Sequence, residues 1–384
     1  MISILSAKTF EVDDIDDALA EILEQLDLNN ALRASSVGLI NCHSDFVDSG
    51  VAQAICEQLP FDVVGCTTFA SGQGGEQDMI MLTLSVLTSD EVSFAAVRSE
   101  ALAVDYAARI QDCYTRAVAA LPEAPSMIFA FGPIMNYVSG DLIIEALSEA
   151  SAGLPIFGTL PSDHTNDYSK TDVLFNGAKC PETLAMVLLC GPVQPRFFVV
   201  SIPEENQQKQ KAIITAAEGN MLYRVNDMHL IDYMKTLGLS EETGLETAKI
   251  VPFVVDYNDG TTPVARGIYR ILPDGSAMCG GVMPCNGTLS IGSLEHDDVL
   301  RTAKQIMSEA LAVPNVQCIF IFSCICRAWV LGMDPLAELL EVGRASADVA
   351  YHMCYSGGEI CPVYNEKGQI FNRFHNYTCV VCTL

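Results

Sequence analysis

Cys324-Ile325-Cys326-Arg327 concentrates more usable chemistry than any other stretch of this 384-residue chain. It closes the apolar run Cys318 to Phe322, and Arg327 is the first charge after a long uncharged stretch. A guanidinium at a strand terminus beside a crevice can donate two parallel hydrogen bonds to a carboxylate or phosphate. The same arginine could equally pair with a structural carboxylate. The neighbouring thiols would be nucleophiles only if a cation lowered their pKa, and cysteines packed at the end of a core strand are inert. Ser356-Gly357-Gly358-Glu359 offers a second set. Its glycines let backbone approach a ligand or adopt positive φ, and Glu359 could orient an amine or pair with Arg327. Gly65-Cys66-Thr67-Thr68 supplies hydroxyls and backbone N–H groups, as does Ser162-Asp163-His164. That last run is a weak catalytic signal, because triads are recognised by geometry and not by order along the chain. Asn376, in His375-Asn376-Tyr377-Thr378, either holds a ligand or locks its own loop.

These segments fall at the ends of elements that repeat three times. An apolar strand (Val37 to Asn41, Met127 to Phe131, Cys318 to Phe322) leads into a helical stretch. A second strand then ends in a small-residue loop: Gly65-Cys66-Thr67-Thr68, Gly158-Thr159-Leu160-Pro161 or Ser356-Gly357-Gly358-Glu359. Each unit closes with further strands. Ligands of such layers collect where strand ends face a crevice. Helices follow from apolar period: 15–26, 106–121, 299–311 led by Asp297 or Asp298 as N-cap, and a shorter one from Leu230 ended by Gly238. Ile80, Leu82, Leu84 and Val86 alternate with Met81, Thr83 and Ser85, as on a strand buried more fully on one side. The runs 184–190, 197–200, 251–255 and 318–322 read as strands covered on both faces. Asp259-Gly260, Asp274-Gly275 and Asn286-Gly287 mark antiparallel hairpins. The expected class is α+β, with mixed and antiparallel sheets layered with helices in two domains. The polar stretch 204–211 places their boundary, giving domains 1–211 and 212–384.

Composition narrows the function. A formal charge of -27 argues against nucleic acid and anionic membrane, since phosphate binding needs clustered Lys and Arg. Apolar runs are too short for membrane insertion, the first residues do not form a signal peptide, and a soluble, cytoplasmic protein is expected. The 15 cysteines lack a secreted domain's setting and mostly sit in apolar strands, where they act as small core hydrophobes. Cys379-Val-Val-Cys382 has zinc-like spacing, but residues i and i+3 of a strand point to opposite faces, so no metal is expected. No Walker-type loop or dinucleotide fingerprint occurs, and no cofactor is expected. Gly72-Gln73-Gly74-Gly75-Glu76 reads as a flexible loop without the helix that phosphate binding requires.

Val64-Gly65-Cys66-Thr67-Thr68 resembles the "GCST" stretch of the FIST N-terminal domain, and Gly158 with Asp163 stands where that family has "G....D". Ala217 to Asn220, Leu222-Tyr223 and the helix to Gly238 resemble the stretch joining it to the FIST C-terminal domain. Phe322 to Arg327, Tyr355 to Ile360 and His375 to Thr378 resemble, in order, the "FSC..R", "YGE" and "HN.T" motifs of that second domain. A second glycine after Ser356 departs from "YGE". The resemblance covers nearly the whole chain. It implies a sensory input module of intracellular signalling that binds small ligands such as amino acids; relatives are fused to output modules, and since none is read in this sequence the signal is expected to pass to a separate signalling protein. The expected ligand-binding residues are Gly65, Cys66, Thr67, Thr68, Asp163, Arg327, Tyr355, Gly358, Glu359 and Asn376. Arg327 would take a carboxylate, Glu359 an amine, and Thr67, Thr68, Asp163 and Asn376 would orient the ligand. The rival readings are a thiol enzyme using Cys324 or Cys326 with His164 or His375 as base, and a protein-binding scaffold.

Overall fold

A computed structural model describes residues 2–135, 138–165, 167–238, 251–346 and 349–384. The repeat seen in the sequence is a repeat of structure. The first unit is β1 (Ser3–Thr9), α1 (Ile15–Leu26), the short α2 (Leu28–Ala31), β2 (Ser35–Cys42), α3 (Ser44–Asp48) and α4 (Val51–Glu57), then β3 (Val63–Thr67), the hairpin β4 (Ser71–Gln73) and β5 (Glu76–Asp78), and β6 (Leu82–Ser89). The second is β7 (Ser93–Arg98), α5 (Tyr106–Ala119), β8 (Met127–Phe131), α6 (Gly140–Ala150), β9 (Ile156–Leu160), the hairpin β10 (Val173–Phe175) and β11 (Ala178–Lys179), and β12 (Ala185–Cys190). The third opens with β13 (Arg196–Val200) and accepts an insertion. This carries β14 (Ala212–Glu218), β15 (Met221–Val225), β16 (Met228–His229), α7 (Leu230–Thr236), β17 (Phe253–Asp256), β18 (Val264–Arg266), β19 (Ile268–Ile271), β20 (Ala277–Cys279) and β21 (Thr288–Ile291). The unit resumes with α8 (His296–Leu311), β22 (Cys318–Cys324), α9 (Ile325–Leu331), α10 (Ala337–Ala345), β23 (Ala350–Ser356), the hairpin β24 (Gly358–Tyr364) and β25 (Ile370–His375), and β26 (Cys379–Thr383).

Each unit builds four strands of a six-stranded sheet and borrows the other two. The sheet orders are β1-β6-β2-β3-β10-β11, β7-β12-β8-β9-β24-β25 and β13-β26-β22-β23-β4-β5. The hairpin of the second unit thus completes the first sheet, that of the third completes the second, and that of the first completes the third. In every sheet the two strands flanking the helical crossover are parallel and the rest antiparallel. The insertion forms its own antiparallel sheet, β18-β17-β21-β14-β15-β20-β19, with β16 on β15.

The three sheets turn their inner faces onto one core. Leu39 and Val64 of the first sheet pack there with Phe129 and Phe157 of the second and with Phe320, Phe322, Val380 and Cys382 of the third. Phe129 meets Phe320 with ring centroids 5.1 Å apart, and Phe157 meets Phe322 at the same distance. Outer faces are covered by helices: α1 and α4 on the first sheet, α5 and α6 on the second, α8 and α10 on the third. Cys379 belongs to the outer layer of its sheet and Cys382 to the inner, as the strand period requires. All 15 cysteines are free thiols, and 13 are buried.

Several expectations need correction. α8 starts before Asp297: Glu295 is its N-cap, locked with Asp298 in a reciprocal capping box. Both faces of β6 are buried, because Thr83 and Ser85 face partners too, the carbonyl of Asn41 and the ring of His352. Residues 72–76 form no loose loop but the turn of β4 and β5, with Gly74 and Gly75 at φ 59° and 79°. Asp259-Gly260 and Asp274-Gly275 do lie between paired strands. Asn286-Gly287 links β20 to β21, which pair with other strands. Among the described residues, no helix is long and apolar enough to cross a membrane.

Candidate functional site

The loops that follow β3, β9 and β23 converge. Thr68 Oγ1 donates to the Tyr355 carbonyl at 2.7 Å, and Ser162 Oγ donates to the same oxygen at 2.8 Å. Ser162 also takes the Phe69 N–H at 3.0 Å, while its own N–H donates to the Thr67 carbonyl. Thr159 and Ser356 share a hydroxyl contact of 2.5 Å, and the Gly357 N–H donates to Leu160. The structure therefore brings together the three small-residue loops read from the sequence. Their polar groups, however, are largely used on one another.

The same holds for several single residues. Gly65 and its counterpart Gly158 face backbone: an added Cβ would overlap the carbonyl oxygen of Ile40 or Ala130 on the neighbouring parallel strand. The glycines serve close strand approach, not ligand access. Cys66 packs in the inner core, and its sulfur and carbonyl accept from Asn41 Nδ2. Thr67 Oγ1 accepts the Asp172 N–H at 2.9 Å. Asp163 stitches its own loop, accepting from the Thr165 N–H and hydroxyl and from the Lys170 N–H at 2.6 Å. Tyr355 donates its hydroxyl to the Pro335 carbonyl. Gly358 lies under the Phe374 ring, leaving no room for a side chain.

Arg327 is the main correction. It has no exposed side-chain surface and lies in the outer layer of the third sheet, not beside Thr67 or Glu359. Its Nε and one terminal nitrogen donate to Glu338 Oε1 at 2.9 and 2.6 Å, and that nitrogen also reaches the Val299 carbonyl and the Thr302 hydroxyl. Ser323 Oγ donates to the other oxygen of Glu338 at 2.7 Å. Burial opposes the arginine's charge, but Glu338 prevails and raises its pKa. The arginine read as a ligand donor is half of a buried ion pair binding β22, α8, α9 and α10, with its other terminal nitrogen left without a partner among the described residues of the same packed layer. Glu338, on the apolar side of α10 beside Leu339 and Val342, was the overlooked partner. A lone acid between core positions was the available signal.

Glu359 does face the convergence. It is buried, with burial and then the adjacent Cys324 driving its pKa well up, which disfavours the charged form that an amine would need as counter-ion. Thr378 Oγ1 donates to its Oε2 at 2.6 Å, while Oε1 has no partner. Directly across the β24–β25 ladder lies His375, also buried. Its Nε2 donates to the Cys361 carbonyl at 3.2 Å, and its Nδ1 has no partner. Burial lowers its pKa to about 3, against the help of the Cys361 carbonyl, and Arg266 and Arg373 push the same way. Asn376 bonds its own chain at the His375 carbonyl, and its Oδ1 faces Gly267 and Gly280 of the inserted sheet. It fastens the insertion to the loops. Cys324 is buried and burial pushes its thiol well up, opposite to what a nucleophile needs. His164 stacks on His43 at 4.8 Å, away from the thiols.

His375 and Thr378 line a groove of ≈ 920 Å³ between the third sheet and the inserted one. Val199, Ser201 and Ile202 at the end of β13, Ser290 on β21 and the polar run with Lys209 and Lys211 complete it. Neither His375, Thr378 nor the lysines belonged to the expected site. The charges of the run 204–211, noted only as a boundary, were the signal for its rim.

Residues 36–228 match the FIST N domain model and residues 231–362 match the FIST C domain model. No curated protein matches the sequence. Among solved structures, a cyanuric acid hydrolase from A. caulinodans aligns over 100% of this chain and 98% of its own, at 9% identity and a TM-score of 0.38. That likeness is too loose to carry chemistry from one chain to the other.

Proposed function

The chain belongs to the FIST family, and from that premise we propose that it is a cytoplasmic sensory module that captures a small polar metabolite, an amino acid or small carboxylate, and reports it to a separate signalling protein. The ligand occupies the groove between the third sheet and the inserted sheet. One observation carries this reading: Glu359 Oε1 and His375 Nδ1, buried on facing residues of one ladder, both lack partners where His375 lines a groove of metabolite size. An unpaired buried polar atom costs about 1–3 kcal/mol, and a ligand that supplies the missing bond recovers that as affinity. Of the residues expected from the sequence, Glu359 stays behind the floor, bonded to the lining residue Thr378 and paired across the ladder with His375, and Asn376 stays as the fastening of the inserted sheet. Arg327 drops out as a ligand donor.

The module acts by binding and not by catalysis. Cys324 is buried with a raised pKa, and no hydrogen bond joins it or Cys326 to His164 or His375 among the described contacts. A thermal-shift screen of the whole chain against amino acids, organic acids, sugars, nucleosides and amines tests the sensor reading. A ligand at about 100 times its Kd stabilises by roughly 2.7 kcal/mol. No shift from any compound, with a folded protein, would refute it.

A further inference from the structure

The groove has a polarity, and it points to one ligand chemistry. At the rim, Lys209 and Lys211 are exposed and have no hydrogen-bond or ion-pair partner among the described residues. Of the two acids that line the groove among the described residues, Glu205 is already paired with Arg301 at 3.0 Å and Glu204 remains. At the floor, His375 can only accept, since its Nε2–H is spent on Cys361 and its Nδ1 is bare. Thr378 has its hydroxyl proton committed to Glu359.

We infer that the groove takes a small hydroxylated anion, a hydroxy carboxylate in its simplest form, with the anionic group at Lys209 and Lys211 and the hydroxyl donating to His375 Nδ1. This rests on the groove being the ligand site. An ammonium group is a poor occupant of the floor. Arg266 and Arg373 stand near His375 and disfavour a positive charge there, even with Asp141 and Asp259 as their own partners. Glu359 is buried, which disfavours the carboxylate that would have to answer an ammonium. A hydroxyl meets the acceptor without bringing charge. A ligand with no donor leaves Nδ1 as bare as it is without ligand. Sites built around a buried hydrogen bond reject analogues lacking it far more strongly than apolar pockets reject a missing methylene.

The test uses matched triplets that differ in one substituent, titrated into the whole chain by calorimetry: lactate, propionate and alanine; malate, succinate and aspartate; 2-hydroxyglutarate, glutarate and glutamate. Glycerate and its phosphate ester separate a carboxylate from a phosphate at the rim. The hydroxy member of at least one triplet should bind at least about tenfold tighter than both its relatives. Replacing both lysines (Lys209→Ala with Lys211→Ala), which are exposed and leave the core intact, should weaken that binding by a similar factor. An amino acid binding tightest, a bare acid equalling its hydroxy form, or unchanged affinity in the lysine variant would each overturn the inference. So would a panel without any binder. If the broader thermal-shift screen still finds a ligand, only the ligand class falls; if it finds none, the sensor reading falls with it.

Discussion

Replacing Arg327 by Ala separates two roles that one residue cannot both fill. If the arginine is structural, the variant loses its bonds to Glu338 at 2.6 and 2.9 Å, to Thr302 at 3.0 Å and to the Val299 carbonyl at 3.1 Å. What remains is a carboxylate with no exposed surface, held by hydroxyls such as Ser323 and without a counter-charge. Removing one partner of a buried ion pair costs about 3–5 kcal/mol, mostly as the penalty of the stranded charge. Arg327→Ala should therefore fall by that amount in urea unfolding, a large fraction of a typical domain's stability. Removing both charges together, Arg327→Met with Glu338→Leu, strands nothing and should recover most of the loss, giving a coupling energy of several kcal/mol. The assay is denaturant unfolding of Arg327→Ala and of the four proteins of the cycle (the parent, Arg327→Met, Glu338→Leu and the double variant), with ligand titration of whichever remain folded. An Arg327→Ala protein as stable as the parent but unable to bind ligand would refute the structural assignment and return the arginine to the site.

Other consequences follow from the same buried groups. Glu359→Gln removes an acid whose charged form burial disfavours, so unfolding at pH 7–8 should show unchanged or higher stability. A folded pKa above the unfolded one gives stability below the unfolded value that is lost as pH rises, so any gain should grow with pH; a variant weakened at pH 8 would contradict a neutral Glu359. His352, hydrogen-bonded to Asn41 and Ser85, has its pKa lowered by burial to about 4. The unfolded chain then binds the extra proton between pH 6.5 and 4, and about 3 kcal/mol should be lost as pH falls through that window. A flat unfolding free energy from pH 7 to 4.5 would exclude this. Gly65→Ala and Gly158→Ala each force a Cβ against a carbonyl of the partner strand. Each should cost at least about 2–3 kcal/mol or abolish soluble expression, and native-like melting would show that the strands can separate freely.

Local pattern made the architecture legible. The apolar period of α1 and α5 and the runs that became β8, β12 and β22 each report a face, and burial on that face is what the fold enforces. The threefold layout followed from strand ends and small-residue loops alone. The exchange of hairpins was not legible, because β10 pairs with β3 over a separation of about a hundred residues and nothing in Val173–Phe175 names its partner. Site residues were harder for the same reason. Arg327 and Glu359 look alike in sequence, each a lone charge after an apolar strand. Only the fold shows that α10 delivers Glu338 to the first, while among the described residues no cation answers the second and Thr378 bonds just one of its oxygens.

The cyclic exchange also decides which part of the molecule can respond to a ligand. Each six-stranded sheet holds a hairpin from a neighbouring unit, and all three share one aromatic and aliphatic core. A unit cannot rotate without tearing strand pairs from a second sheet, so the threefold body moves as one piece or not at all. The inserted sheet is held differently. It joins the chain after β13 and before α8, has its own core, and touches the body through one small apolar cluster, Val254 and Ala265 against Ile202 and Tyr377, and through several polar links. These are Arg266 to Asp141 and the Phe374 carbonyl, the Val282 N–H to Asp141, Arg373 to Asp259, and Gly267 beside Asn376. Some of these links sit on β25 or the residue after it, the strand that supplies His375 to the groove. A ligand held between His375 and the lysines of residues 204–211 bridges the rigid body and the connection to the inserted sheet. On the proposed sensor reading, binding there would act on the inserted sheet, which is not interlocked with the three units among the described residues, and would change the surface offered to a partner without unfolding anything.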